Sequence, residues 1–200
     1  MPSPIIREKP NLNPVMRAGI ALAERITGRR MVPARLLAWY PKVAISSGVM
    51  ESLVAHKDRQ ISDRELRFVR LAASFATQCP FCIDMNGHEF ESAGITAEEV
   101  TALRNGTAAD LPHLTPRERT AIEYAVAASS TPLRFETDLL ERVTDLFSER
   151  EVVILATTAA QVNYWARLIQ ALQIPPAGFT YGDLPLELSA MGADPFRVSP

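Results

Sequence analysis

Apolar residues recur every three or four positions along most of this chain, and that spacing predicts helices almost from end to end. Leu66, Val69, Leu71, Ala72, Ala73, Phe75 and Ala76 hold the period of one helix face. Ile122, Ala125, Val126 and Ala128 repeat it, and the run from Val152 through Leu155, Ala159, Val162, Trp165, Ile169 and Leu172 extends it over about six turns. Sustained period-two alternation is absent, so strands are not expected.

The punctuation agrees with the period. Four places read Ser/Thr-x-x-Glu, in which a hydroxyl and a carboxylate satisfy the free amides at a helix start: Ser62–Glu65, Thr96–Glu99, Thr115–Glu118 and Ser148–Glu151. Pro116 after Thr115 suits a first helical position, whose missing N–H would be unpaired anyway. Gly94, Asn105-Gly106 and Pro175-Pro176 supply stops. These signals predict seven or eight helices: 13–28, 33–54, 63–77, 80–93, 97–105, 116–129, 135–146 and 149–173. The fold class is all-α, with one domain over 1–176 and a Pro/Gly-rich tail over 177–200. That tail is expected to wrap the body or a neighbouring subunit, because Phe179, Tyr181, Leu184, Leu186 and Phe196 need burial. A faint internal echo, a capped helix followed by a longer apolar one, occurs at 62–93 and again at 115–172.

Composition narrows the function classes. The 200 residues are 47% hydrophobic and 22% charged, the balance of a globular protein. With 21 Lys and Arg against 23 Asp and Glu, no nucleic-acid partner is expected. No apolar run approaches a membrane span and the N-terminus lacks a signal-peptide pattern, so no membrane partner is expected and a cytoplasmic location is. Phosphate loops, Gly-x-Gly-x-x-Gly and Gly-x-Ser-x-Gly are absent, which leaves nucleotide binding and serine hydrolysis without support. Trp39, Tyr40 and Trp165 read as core or interface aromatics.

The chemically pointed stretch is Gln78 to Glu89, which holds both cysteines as Cys79-Pro80-Phe81-Cys82. A helix starting at Pro80 places Cys82 in its first turn, where free amides and the macrodipole stabilise a thiolate. Cys79, just before it, is in reach to close a disulfide, which suits reversible two-electron chemistry. Buried structural cysteines are the competing reading. Zinc would have to recruit His56, His88 or His113, so no metal or cofactor is expected. If the helix runs on to 93, His88 points about 120° away from Cys82, while Asn86 and Glu89 share its face. The same helix shows Phe81 and Met85 on one side and Ile83 and Phe90 on another, which predicts burial on both and hence a homo-oligomer.

The run Cys-Pro-Phe-Cys-Ile-Asp-Met-Asn, behind a capped Arg-Glu-Leu-x-x-x-x-Leu helix, resembles the alkylhydroperoxidase D-like, or carboxymuconolactone decarboxylase, family. Asn163-Tyr164-Trp165-x-Arg167 and Ile174-Pro175-Pro176 resemble the C-terminal helix of its peroxidase-related members, so the likeness spans about 33–176. The resemblance implies an alkylhydroperoxidase D-like helical bundle, homo-oligomers, a hydroperoxide or other small-molecule substrate and a dithiol reductant. It makes Cys82 the peroxide-attacking cysteine and Cys79 the resolving one that meets the reductant. Two positions depart from the pattern. Asn86 stands where active peroxidases carry a histidine, and Arg67 where they carry a glutamate, the two residues that relay the thiol proton. Asn86, Glu89, Arg67 and His88 are therefore the candidate auxiliaries. Arg67 either stabilises the Cys82 thiolate or points to solvent and pairs with Asp63. A decarboxylase-like enzyme and a catalytically degenerate redox-sensing member are the alternative functions.

Overall fold

The structure, a computed structural model, describes residues 3–180. Its elements are α1 (Pro14–Thr27), α2 (Val32–Leu37), α3 (Pro41–Leu53), α4 (Asp63–Ala76), α5 (Pro80–Asn86), α6 (Ala97–Asn105), α7 (Pro116–Ser129), α8 (Thr137–Leu146) and α9 (Glu149–Ala171), with short 3-10 turns at Phe90–Ala93 and Ala108–Asp110. The described residues are helical with no strand, as the spacing predicts. No helix among them is long and apolar enough to cross a membrane.

All four predicted capping boxes form. Each glutamate closes the box with one oxygen, and its other oxygen takes a cross-helix bond from an arginine. Arg64, in the first turn of α4, donates to Glu118 of α7 and Glu99 of α6. Arg117, in the first turn of α7, donates to Glu65 of α4 at 2.9 Å and to Glu151 of α9 at 2.8 Å. The α4–α7 exchange is therefore reciprocal, which gives the sequence echo a physical counterpart in the caps. Each guanidinium also lies over an aromatic ring, Arg64 4.7 Å from the Phe68 centroid and Arg117 4.2 Å from Phe147.

Helix α4 is the centre: nine of its fourteen residues are buried, and it packs on α5, α6, α7 and α9. A large apolar cluster joins Leu66, Phe68, Val69 and Leu71 to Ile83, Phe90, Val100, Ile122 and Leu155. A smaller one joins Leu36, Phe81, Ala166, Ile169 and Ile174 to the two cysteines. Helix α5 lies between them, Ile83 in one cluster and Phe81 and Cys82 in the other. Its two apolar faces are thus satisfied within one chain, and they give no argument for a second copy.

Two predicted helices are divided. The 33–54 segment breaks after Leu37, and α3 restarts at Pro41, which fixes a first-turn φ but cannot donate to the preceding turn. The 80–93 segment ends at Asn86, and Glu89 adopts a left-handed φ of 51° before the 3-10 turn. The buried carboxylate of Asp84 explains part of the local arrangement. It accepts from the amides of Gly178 (2.8 Å), Phe179 (3.1 Å) and Thr180 (2.9 Å) and from the Thr180 hydroxyl (2.8 Å), strapping the chain after α9 onto the cysteine helix. Phe179 is buried as expected of the tail, whereas Tyr181, Leu184, Leu186 and Phe196 lie outside the described residues.

The cap network yields a stability prediction. Burial pushes the Glu151 carboxyl up, but the Ser148 amide and Arg117 outweigh it and hold it below the ordinary 4.5. Glu118 and Glu99 are held down in the same way, Glu118 by the Thr115 amide and Arg64, Glu99 chiefly by Arg64. Arg117→Met strands two buried carboxylates and is expected to cost about 3 kcal/mol in urea unfolding at pH 7. Depressed carboxylates stabilise above their unfolded pKa, so this deficit should shrink as pH falls below 4.5. A deficit unchanged at low pH would contradict the electrostatic origin.

Candidate functional site

The local sequence delivers the cysteines by a helix end and a helix start placed back to back. Helix α4 closes with Gln78 at a left-handed φ of 49°, its amide bonded to Phe75 O at 3.0 Å and the Cys79 amide to Ser74 O at 3.2 Å. This is a Schellman ending with glutamine where glycine is usual. It drops Cys79 directly into the N-cap of α5, where its Sγ accepts the Cys82 amide at 3.3 Å. Cys79 and Cys82 are joined as a disulfide with a Cα–Cα distance of 5.2 Å, so the structure holds the oxidised pair.

Both cysteines are buried, Cys79 fully and Cys82 to all but 1% of its surface, and Cys82 also forms part of the wall of a cavity of about 350 Å³. Arg67 and Arg70 of α4, Glu51 of α3, His56, Met85, Asn86 and Trp165 also line it. The volume is in the range of small-molecule sites.

Glu51, His56, Arg67 and Arg70 bring polar chemistry to the cavity, with Lys57, Asn86 and Gln161 beside them. Glu51 accepts from the Trp165 indole N–H at 2.8 Å and from the Gln161 amide, which fixes its carboxylate against α9. His56 Nε2 lies 2.9 Å from the Glu51 backbone oxygen and 3.4 Å from its carboxylate, so that nitrogen carries the proton. Arg67 Nη1 donates to the carbonyls of Asn86 and His88, both at 3.1 Å, capping the C-terminal end of α5. Arg70 donates through Nη2 to Ala55 O. Burial pushes both guanidinium pKa values down, that of Arg70 to about 10, with repulsion from Arg67 adding to it.

The predicted auxiliaries separate. Arg67 and Asn86 reach the cavity. Asn86 is held by its Nδ2, which donates to Ser74 Oγ at 3.0 Å while that hydroxyl donates to Arg70 O at 2.7 Å. Arg67 turns inward onto the α5 carbonyls and makes no ion pair with Asp63, so its solvent-facing alternative is set aside. His88 and Glu89 do not line the cavity, because the helix that would have carried Glu89 round to the Cys82 face stops at Asn86. His88 instead packs 5.9 Å from Phe179, with Nε2 3.7 Å from Glu89. The three histidines stand beside three different glutamates, His113 being 2.8 Å from Glu99.

Glu51, His56, Arg70 and Gln161 carry no local signal in the sequence, since a 3.6-residue period says nothing about which solvent-side polar groups a neighbouring helix will cover. Trp165, read as a core aromatic, has its ring at the cavity and its N–H on Glu51. Trp39 and Tyr40 are more than half exposed.

Comparison with known proteins agrees with this picture. Residues 47–129, which include α4, α5 and both cysteines, match the carboxymuconolactone decarboxylase family. The uncharacterized protein YdfG of Bacillus subtilis (strain 168) is 27% identical over 124 residues, 62% of this chain and 82% of that protein. The alkylhydroperoxidase AhpD core of a peroxidase-related protein from Ralstonia eutropha JMP134 superposes with a TM-score of 0.69 at 16% identity, covering 82% of this chain and 86% of that one. The debrominase Bmp8, in complex with 2,3,4-tribromopyrrole, superposes at 0.71 and 15% identity, covering 86% and 92%. At these identities the two structures speak to the fold alone. Motif, helical architecture and family match converge: residues 47–129 match the carboxymuconolactone decarboxylase family, and the described residues adopt an alkylhydroperoxidase D-like fold.

Proposed function

We propose that this protein is a thiol peroxidase that reduces organic hydroperoxides with the Cys79–Cys82 pair and an external dithiol. The observation that carries it is a bridged cysteine pair with only Cys82 on the wall of a ligand-sized cavity, beside a carboxylate and an imidazole.

In the reduced protein the first turn of α5 and the nearby guanidinium groups favour the Cys82 thiolate. Its proton goes to Glu51, which takes over from a glutamate at position 67, since an arginine there cannot accept one. The thiolate attacks the terminal peroxide oxygen and the O–O bond breaks. Cys82 becomes a sulfenic acid, and the departing alkoxide takes up the proton held by Glu51, directly or through a water beside the Glu51–His56 pair, which returns Glu51 to its carboxylate. The Cys79 thiol then attacks Cys82 Sγ, a water leaves, and the disulfide forms. A dithiol entering by the cavity meets Cys82 rather than Cys79, the cysteine the resemblance assigns to the reductant, because only Cys82 is on the cavity wall. It releases Cys79, whose thiolate is a good leaving group because it caps α5 and accepts the Cys82 amide. The external dithiol leaves as a disulfide, which closes the electron balance.

With tert-butyl hydroperoxide and dithiothreitol, Cys82→Ser should abolish turnover. Glu51→Gln should lower kcat/KM by about 100-fold, the scale of a lost acid–base group. Turnover surviving in Cys82→Ser would overturn the proposal. A second measurement addresses Arg67. In reduced Cys79→Ser protein, Arg67→Ala should raise the apparent pKa of Cys82 alkylation by about one unit, because a nearby cation is lost. Superimposable titrations would confine Arg67 to capping α5.

A further inference from the structure

Helix α4 presents arginines at 64, 67 and 70, and their fates differ. Arg64 is bound by two carboxylates, as is Arg117 on α7, while Arg35 is paired with Glu24. Arg67 and Arg70 have no carboxylate within 4.0 Å among the described residues, and both line the cavity at Cys82. Arg70 is the sharper case, with only 8% of its surface exposed. Of its donors only Nη2 has a protein partner, Ala55 O. Nε and Nη1 have none among the described residues, yet neither is sealed off from the open space. A guanidinium this deep without a counter-charge is costly unless something else supplies the charge.

Glu51 and Asp63 attract the Arg70 guanidinium only from a distance, which burial and repulsion from Arg67 outweigh. Glu51 lies beyond ion-pair distance of Arg70, and its carboxylate is engaged by the Trp165 and Gln161 N–H groups. Arg67, Arg70 and Lys57 therefore leave the cavity with a surplus of positive charge over Glu51. Val162, Met85 and the Trp165 ring supply apolar and aromatic wall in the same space. A planar guanidinium with adjacent free N–H groups matches a carboxylate in two-point fashion.

We infer that the cavity beside Cys82 holds a small organic carboxylate, its anionic end on the free N–H groups of Arg70 and its apolar or aromatic body against Trp165 and Val162. Resting on the peroxidase reading, this names the substrate class: a hydroperoxide that also carries a carboxylate. The carboxylate end is held without reacting, and only the peroxide end meets Cys82.

The probe is 4-isopropylbenzoate, compared with its neutral analogue 4-isopropylbenzyl alcohol, titrated calorimetrically into the full chain in its disulfide form. The acid is expected to bind at least tenfold tighter than the alcohol. Arg70→Met should erase that preference, and Arg70→Lys, which keeps the charge but loses the planar fork, should restore part of it. Arg167→Met, at a separate cavity lined by Tyr124 and Asn163, should leave binding of the acid unchanged. Should Arg70→Met fail to fold, the acid–alcohol comparison on the natural protein and the Arg70→Lys titration decide. Equal binding of acid and alcohol, no binding of either, or full affinity for the acid in a folded Arg70→Met protein would each overturn the inference. Because the disulfide form turns nothing over, binding of the acid without peroxidase activity would sink the peroxidase reading and leave the carboxylate site standing. Turnover of neutral hydroperoxides without acid binding would do the reverse.

Discussion

Two arginines at helix starts hold the four capped helices of this fold together. A capping glutamate normally spends itself on its own helix, but here each keeps an oxygen for a guanidinium from elsewhere. The exchange between α4 and α7 fixes their N-terminal ends in register, and α6 and α9 are attached to the same pair of charges. Because the carboxylates are nearly buried, the arrangement works only with every member present; removing one cation leaves charge without solvent or partner.

That anchoring decides where the chemistry sits. With its start fixed, α4 runs through the core and ends at the turn that drops Cys79 onto α5. Helix α5 is only seven residues long, so its position comes from what grips it rather than from its own hydrogen bonds. Phe81 and Ile83 lock it into two apolar clusters, Arg67 caps its end, and Asp84 binds the strap after α9. The Cys79–Cys82 disulfide sits at the first turn of this constrained helix, beside the cavity wall.

The charge at the cavity follows the same logic in reverse. Where α4 meets α6 and α7 its arginine finds carboxylates; where it faces the cysteines, its arginines find carbonyl oxygens and open space. The acid and the imidazole arrive from α3 and the loop after it, held to α9 by Trp165 and Gln161. The site thus keeps a carboxylate and a histidine within one cavity although positions 67 and 86 supply neither.

The sequence by itself determined the helices whose signals are local. The capping boxes at Ser62, Thr96, Thr115 and Ser148 form as read, because a cap depends on residues three apart and on nothing beyond them. The cysteine pair at a helix start was equally legible, since spacing alone puts the sulfurs in reach. The break at Pro41 carried a local signal that the apolar period outweighed, and the left-handed turn at Glu89 carried almost none. That turn mattered most for the site, because extending α5 past Asn86 assigned Glu89 to a face it does not occupy. Only the tertiary structure decided that Arg64 and Arg117 exchange partners, that Asp84 holds residues 178–180, and that Glu51, His56 and Arg70 meet at Cys82. These groups lie far apart in the chain and reach one another through long polar side chains, whose direction is set by what packs above them and leaves no period in the sequence.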